Sequence, residues 1–319
     1  MENIVVLDGY TLNPGDLSWE ALENLGNVHV YDRSTKKEVL ERAKNASVVV
    51  TNKCPIDQEV IGHLTSLRHI AVSATGYNIV DVEKATAKKI SISNVPGYGT
   101  TAVAQHVFAM ILRVANHIAE NADSVANGKW SQNKDWCYWE FPIVELKDKV
   151  MGIVGLGAIG SQVANIAKAF GMQILVNDRS PEKKQSPDIE FTDIETLFSK
   201  ADYLSLHCPL TEQNEAFVNK TLLKKMKKSA VLINTGRGAL INEKDLAEIL
   251  KNKEIAAACL DVLSQEPPTA NHPLVGIENC HITPHNAWAA KESRARLLNI
   301  LVENIRGFLE GNPKNIING

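Results

Sequence analysis

Short runs of β-branched and aliphatic residues recur through the first third of the chain, at 4–7, 28–31, 48–51, 70–72 and 90–92. They are too short for helices, and polar or turn-forming residues bound them. Between them the apolar positions change to helical spacing, as at 19–25 and 37–43. Strand alternating with helix predicts a parallel sheet covered by helices. One proline and two glycines in Asn94-Val95-Pro96-Gly97-Tyr98-Gly99 interrupt the pattern, and a helical stretch follows over about 101–128. A tryptophan-rich connector, 130–139, leads into a second alternating series with strand-like runs at 150–154, 174–177, 203–207, 231–234, 256–260 and 281–283. The segment 289–309 is again helical in spacing and stops near Gly311-Asn312-Pro313. Its periodicity alone assigns it to neither series. The pattern predicts two α/β domains, each on a parallel sheet.

Composition narrows the partners. With 319 residues, 44% of them hydrophobic, the chain can bury two cores. A formal net charge of -3 supplies no basic field for a phosphate backbone, so no nucleic-acid partner is expected. Cys54, Cys137, Cys208, Cys259 and Cys280 are widely spaced and form no C-x-x-C pair. Neither a disulfide framework nor a zinc site is expected, and a reducing cytoplasm suits them. The first residues lack the basic and apolar regions of a signal peptide, and no run approaches the roughly 18 apolar residues of a membrane span. The expectation is a cytoplasmic protein with no membrane partner and no metal.

The clearest chemical signal is Gly155-Leu156-Gly157-Ala158-Ile159-Gly160. Three glycines at this spacing arise easily by chance, so context decides. Here they follow a strand-like run directly and open an amphipathic helix over 161–170, as a phosphate-binding turn requires. Gly155 permits the tight turn, Gly157 lets the backbone approach a pyrophosphate, and Gly160 lets helix and strand pack closely. The helix start at Ala158 and Ile159 offers free N–H groups and a positive dipole end. Asp178 ends the next strand, about twenty residues on, where a carboxylate accepts ribose hydroxyls and repels a 2′-phosphate. NAD is favoured over NADP, although Arg179 could pair with a phosphate and offset part of that repulsion. A glycine turn with a surface aspartate, or a methyltransferase-type nucleotide site, would share these features.

Polar groups where strands end are the candidates for chemistry, because ligands of α/β sheets bind beyond the carboxyl ends of strands. Arg237 in Asn234-Thr235-Gly236-Arg237-Gly238, Glu266 in Gln265-Glu266-Pro267, and His285 in Thr283-Pro284-His285-Asn286 all fall there. Singly they read as a surface ion pair, a solvated acid and a packed or capping histidine. Together they supply a planar fork for a carboxylate, a partner for a base, and a proton donor near neutral pH. His281 and His285 do not make a metal pair, since Pro284 breaks the helix that spacing needs and no third ligand is evident.

The fingerprint and this trio, with Ala74-Thr75-Gly76-Tyr77-Asn78, Leu206-His207-Cys208-Pro209-Leu210-Thr211, the run 233–238, Leu260-Asp261-Val262 and the run 283–288, resemble the D-isomer-specific 2-hydroxyacid dehydrogenase family over nearly the whole chain. The wording of 7–16, 74–78 and 95–100 is most similar to its bacterial glycerate dehydrogenase, or hydroxypyruvate reductase, branch. The resemblance implies two Rossmann-like or flavodoxin-like parallel-sheet domains. A substrate domain, discontinuous in sequence, takes 1–99 and is completed by 289–319, and an NAD-binding domain takes 100–288. It also implies a homodimer, with the 101–128 helix and its connector near the two-fold axis.

The same resemblance implies the chemistry. A small 2-oxo acid such as hydroxypyruvate or glyoxylate sits between the domains, its carboxylate on backbone N–H groups of Ala74, Thr75 and Gly76, with Arg237 bridging carboxylate and 2-oxo oxygen. NADH gives hydride to C2 while His285 gives a proton to the oxygen, leaving a D-2-hydroxy acid. Glu266 orients the imidazole and favours its charged form. Asp261 accepts from the nicotinamide carboxamide, and Cys208-Pro209 and Thr235-Gly236 line the cofactor by backbone contact, which makes Cys208 a wall residue and not a nucleophile. Tyr77, Trp288 and a partner-chain Trp136 or Trp139 are candidate pocket walls, with core or interface packing as the plain alternative. The remaining alternatives are a dehydrogenase for another 2-oxo acid, a formate or phosphite dehydrogenase, and an NAD-sensing corepressor. Glu266 speaks against formate, whose branch has glutamine there, and no peptide-docking extension favours the corepressor.

Overall fold

The computed structural model describes residues 2–183 and 186–319 and divides into two compact units, Met1–Gly99 with Ala289–Gly319, and Thr100–Trp288. The first unit is built on five strands: β1 (Asn3–Val6), β2 (Asn27–Val30), β3 (Val48–Thr51), β4 (His69–Val72) and β5 (Ser91–Ser93). They are parallel and ordered β2-β1-β3-β4-β5, the flavodoxin-like arrangement. Every residue of β3 and β4 is buried, while edge strand β2 alternates exposed and half-buried positions. The covering helices start at side-chain caps, Thr35 for Lys36–Arg42, Asp57 for Gln58–His63 and Asp81 for Val82–Ala87, each accepting a backbone N–H three residues on.

The helix Lys291–Leu309 belongs to this unit, which settles what its periodicity left open. The tail behind it docks on β5. Ile317 N–H donates to Ile92 O at 2.8 Å and Ile92 N–H to Asn318 Oδ1 at 2.8 Å, so the chain end covers an otherwise unpaired sheet edge.

His69 joins these pieces. It is fully buried, its ring nitrogens lie 2.6 Å and 3.0 Å from the hydroxyls of Ser91 and Ser93, and the ring stacks on Phe308 with centroids 4.4 Å apart. Burial pushes its pKa from 6.5 down to about 4. The unfolded chain therefore binds a proton that the folded unit refuses. The neutral ring's contribution is complete above pH 6.5 and is lost as pH falls toward 4. At about 1.4 kcal/mol per pH unit the loss is on the order of 3 kcal/mol. Urea denaturation of parent and His69→Gln between pH 7 and 4 should show the variant with the shallower pH dependence; equal slopes would refute this role.

The second unit carries seven parallel strands: β6 (Val150–Val154), β7 (Gln173–Asn177), β8 (Ile189–Phe191), β9 (Tyr203–Leu206), β10 (Val231–Asn234), β11 (Ala257–Leu260) and β12 (Cys280–Ile282). Their order, β12-β11-β10-β9-β6-β7-β8, is that of a Rossmann fold. Successive strand residues serve different cores. Val231 and Ile233 pack with Val107, Ile111, Val163 and Ala167 on one face, and Leu232 with Leu197, Phe198, Leu246 and Ile249 on the other.

Two differences from the sequence pattern stand out. The single helix expected over 101–128 is two, Thr100–Asn116 and Ile118–Ala126, because His117 takes a left-handed conformation at φ 49°. Stacking of His117 on Phe141, with centroids 4.9 Å apart, and the Arg113–Glu120 ion pair across the break hold the corner. Strand β8 was not expected: Ile189-Glu190-Phe191 is short, half-exposed and paired on one side only. Among the described residues no helix is long and apolar enough to cross a membrane.

Candidate active site

The strand order of the second unit reverses between β6 and β9, and a crevice at the carboxyl ends of such a pair is where α/β sheets bind ligands. Gly155 leaves β6 at φ +91°, and a Cβ there would lie 2.8 Å from Cys208 N, so only glycine brings the loops after β6 and β9 together. A Cβ on Gly160 would stand 2.2 Å from Gly155 O, the close helix–strand approach expected of the third glycine. Gly157 differs, because among the described residues no atom beyond its chain neighbours lies within 4 Å of where its Cβ would be. It caps the helix Ala158–Ala169, whose first N–H groups, at Ala158 and Ile159, have no acceptor among the described residues. Open space above unpaired N–H groups at a helix start fits a dinucleotide pyrophosphate.

Asp178 is tied to this turn. Its Oδ2 accepts Leu156 N–H at 2.7 Å and its Oδ1 accepts Ser180 N–H at 2.9 Å, so the carboxylate is fixed before any ribose arrives. Cys208 lines the same crevice by its backbone, and burial raises its thiol pKa, which suits a wall residue and not a nucleophile.

After β10, the fully buried Asn234 shapes the next loop: its Oδ1 accepts Gly236 N–H at 3.0 Å and its Nδ2 donates to Arg237 O at 2.8 Å. Arg237 is exposed, with Nη1 donating to Gly236 O at 2.8 Å. Thr235 Oγ1 is buried and, among the described residues, has no hydrogen-bond partner, a further sign that the loop is built to meet a ligand.

The third cluster follows β11 and β12. His285 sits at φ 51°, and its Nδ1 lies 2.6 Å from Glu266 Oε2. A carboxylate only accepts, so Nδ1 carries the hydrogen and Nε2 is the nitrogen able to exchange a proton. Glu266 Oε1 accepts Leu263 N–H at 3.1 Å, and Trp288 Nε1 donates to His285 O at 2.9 Å.

Asp261, 1% exposed, organises the loop under His285. Its Oδ1 accepts Thr283 Oγ–H at 2.6 Å and Asn286 N–H at 2.9 Å, its Oδ2 accepts Ala287 N–H at 2.9 Å, and its carbonyl accepts His285 N–H at 2.8 Å. The carboxamide contact expected of Asp261 has one acceptor position left to it, on Oδ2. His106 Nε2 stands 3.1 Å from Thr283 Oγ1, whose hydrogen already goes to Asp261, so His106 is the donor.

In the first unit, Ala74, Thr75 and Gly76 follow β4. The carbonyl of Ala74 accepts Val95 N–H at 3.0 Å and that of Thr75 accepts Asn94 Nδ2 at 2.7 Å, whereas the three N–H groups have no acceptor among the described residues. Such a nest suits an anion.

The structure thus joins Glu266 to His285, Asp178 to the glycine turn and Gly155 to Cys208. Sequence reading missed Asn234, Thr283 and His106. Asn234 carried a signal, since Asn-x-Gly is an Asx-turn former, but His106 lies far from its partner in sequence.

The chain is similar to known proteins over most of its length. Residues 108–287 match the model of the D-isomer specific 2-hydroxyacid dehydrogenase, NAD binding domain. The chain is 45% identical over 320 residues to a hydroxypyruvate reductase of Blautia hydrogenotrophica, covering 99% of both chains. It is 36% identical over 285 residues to a glycerate dehydrogenase of Methylorubrum extorquens, covering 89% of both. Among solved structures, an acyclic imino acid reductase in complex with NADPH and D-Arg superposes with a TM-score of 0.87 at 32% identity, covering 99% of both chains.

Proposed function

We propose, from the premise that the chain belongs to the D-isomer specific 2-hydroxyacid dehydrogenase family, that it reduces a small 2-oxo acid such as hydroxypyruvate or glyoxylate to the D-2-hydroxy acid with NADH. The observation that carries this is the His285 Nδ1 contact with Glu266 at 2.6 Å, which presents the opposite ring nitrogen as a proton donor. When bound, the nicotinamide supplies the hydride to C2. The first unit acts as the substrate domain, the N–H groups of Ala74, Thr75 and Gly76 receiving the carboxylate. Arg237 leaves its contact with Gly236 O and pairs with the carboxylate and the 2-oxo oxygen. His285 Nε2–H then protonates the oxygen as charge develops on it, while Glu266 keeps the ring oriented and offsets its positive charge.

Asp178 favours NADH over NADPH, because a 2′-phosphate would face a fixed carboxylate. The five cysteines, all unpaired, suit the reducing cytoplasm in which the enzyme is proposed to act. It works as a homodimer. Among the described residues, eight of the twelve exposed large hydrophobic residues lie within 118–144, including Trp136 and Trp139, and a second copy of the segment would cover them. Sedimentation equilibrium should give twice the chain mass, and monomers at micromolar concentration would contradict the dimer.

The activity is tested with a panel of 2-oxo acids, following NADH and NADPH consumption. Hydroxypyruvate and glyoxylate should support turnover with NADH, and no oxidation with any member of the panel would end the proposal. Arg237→Lys should raise KM for the oxo acid about tenfold or more, since a point charge cannot replace the two-pronged fork, while KM for NADH stays unchanged. An unaltered substrate KM would remove Arg237 from carboxylate binding.

A further inference from the structure

We infer that Glu243 is a positioning residue for the Glu266–His285 pair, acting through Ser264. Its effect on turnover rests on the function proposed above, but the contact it maintains does not. Glu243 begins the helix Glu243–Lys251 and its side chain is only 12% exposed, so a carboxylate there needs donors in place of water. It has three. Ser264 N–H donates to Oε1 at 2.7 Å, and Ser264 Oγ–H and His272 Nε2–H donate to Oε2, the latter at 3.1 Å. His272 is itself 8% exposed, and its Nδ1 faces Leu274 N–H at 3.4 Å, which assigns the ring hydrogen to Nε2.

The peptide between Leu263 and Ser264 is where this clamp meets the proposed chemistry. Leu263 N–H donates to Glu266 Oε1, so the backbone that Glu243 grips also aims the Glu266 carboxylate at His285. Gly238, next to Arg237, lies against the same peptide; a Cβ on it would stand 1.9 Å from Leu263 C and 2.3 Å from Ser264 N. Leu263 thus lies between both loops: the peptide from Leu263 to Ser264 meets Gly238 beside Arg237, and the N–H of Leu263, on the preceding peptide, holds Glu266. A shift of about 1 Å in such a support is enough to lower turnover about a hundredfold.

A purely structural role for Glu243 would lower the melting temperature and change nothing at His285. The test is nuclear magnetic resonance of the full chain labelled with ¹⁵N-histidine, alongside steady-state kinetics. The Nδ1–H signal of His285, assigned by its loss in His285→Asn, should be protected from solvent exchange in the parent. In Ser264→Ala and Glu243→Ala it should broaden or vanish. Turnover should fall about tenfold and about a hundredfold respectively, with KM for NADH unchanged. Glu243→Gln keeps an acceptor for Ser264 N–H and should recover part of both signal and turnover. Should Glu243→Ala fail to fold, Ser264→Ala and Glu243→Gln decide. An unchanged Nδ1–H signal and unchanged turnover in those two variants would overturn the inference, whatever their melting temperatures. Full activity in His285→Asn would instead remove the proton-transfer reading, and the Nδ1–H signal would still decide the role of Glu243.

Discussion

Replacing His285 by asparagine is expected to lower kcat by roughly two to four powers of ten, the span for loss of a positioned general acid, while NADH binding is unchanged. Asparagine is the informative substitution because His285 sits at φ 51°, a left-handed conformation that asparagine tolerates better than alanine. With alanine the loss would mix backbone strain with lost chemistry. The backbone N–H of residue 285 still reaches the Asp261 carbonyl in either variant, so the loop keeps its anchor and the ring alone is removed. Cofactor affinity should be preserved because the glycine turn and Asp178 are built from β6, β7 and their loops, none of which the substitution touches. Single-turnover measurements with bound NADH would check both halves. A variant within a few-fold of the parent would exclude His285 as the acid.

The second large effect is in cofactor choice. Asp178→Ser should reduce the proposed preference for NADH over NADPH by about two to three powers of ten. Two like charges about 4 Å apart repel by about 4 kcal/mol at an effective dielectric of 20, and each 1.4 kcal/mol is a factor of about ten. Because Asp178 Oδ2 accepts Leu156 N–H and Oδ1 accepts Ser180 N–H, the carboxylate cannot swing away from a 2′-phosphate without unmaking the turn. Serine leaves an acceptor near Leu156 and removes the charge. The neighbouring Arg179, exposed, would then be available to the phosphate. The ratio of kcat/KM values for the two cofactors reads this directly, and an unchanged ratio would show that discrimination lies elsewhere.

Much of this architecture could be read along the chain where one local rule sufficed. The runs 48–51, 150–154 and 231–234 coincide with β3, β6 and β10 because a strand buried on both faces is a continuous apolar run. The glycine spacing likewise corresponds to separate backbone demands, a positive φ at Gly155, open space at Gly157 and a 2.2 Å approach at Gly160. What escaped was set by partners distant in sequence. His117 breaks a pattern whose apolar spacing continues through it, and the ring that holds the break is Phe141. Glu190 interrupts the apolar signal of β8, and the 315–318 tail has no strand pattern, yet β5 recruits it. The same holds for polar support of the site. Glu243 and His272 are 29 residues apart, His106 and Thr283 are 177 apart, and neither pairing leaves a periodic trace. Candidates for the chemistry could be picked from strand ends because ligands of α/β sheets bind there, whereas the residues that hold those ends in place required the fold.

The central claim is that hydride passes to C2 of a 2-oxo acid to give the D product. It is tested most directly by reducing hydroxypyruvate with NADH carrying deuterium at the transferring position of the nicotinamide, then isolating the product. The account predicts D-glycerate with one deuterium at C2 for each cofactor oxidised. Unlabelled product, or the L enantiomer, would contradict it.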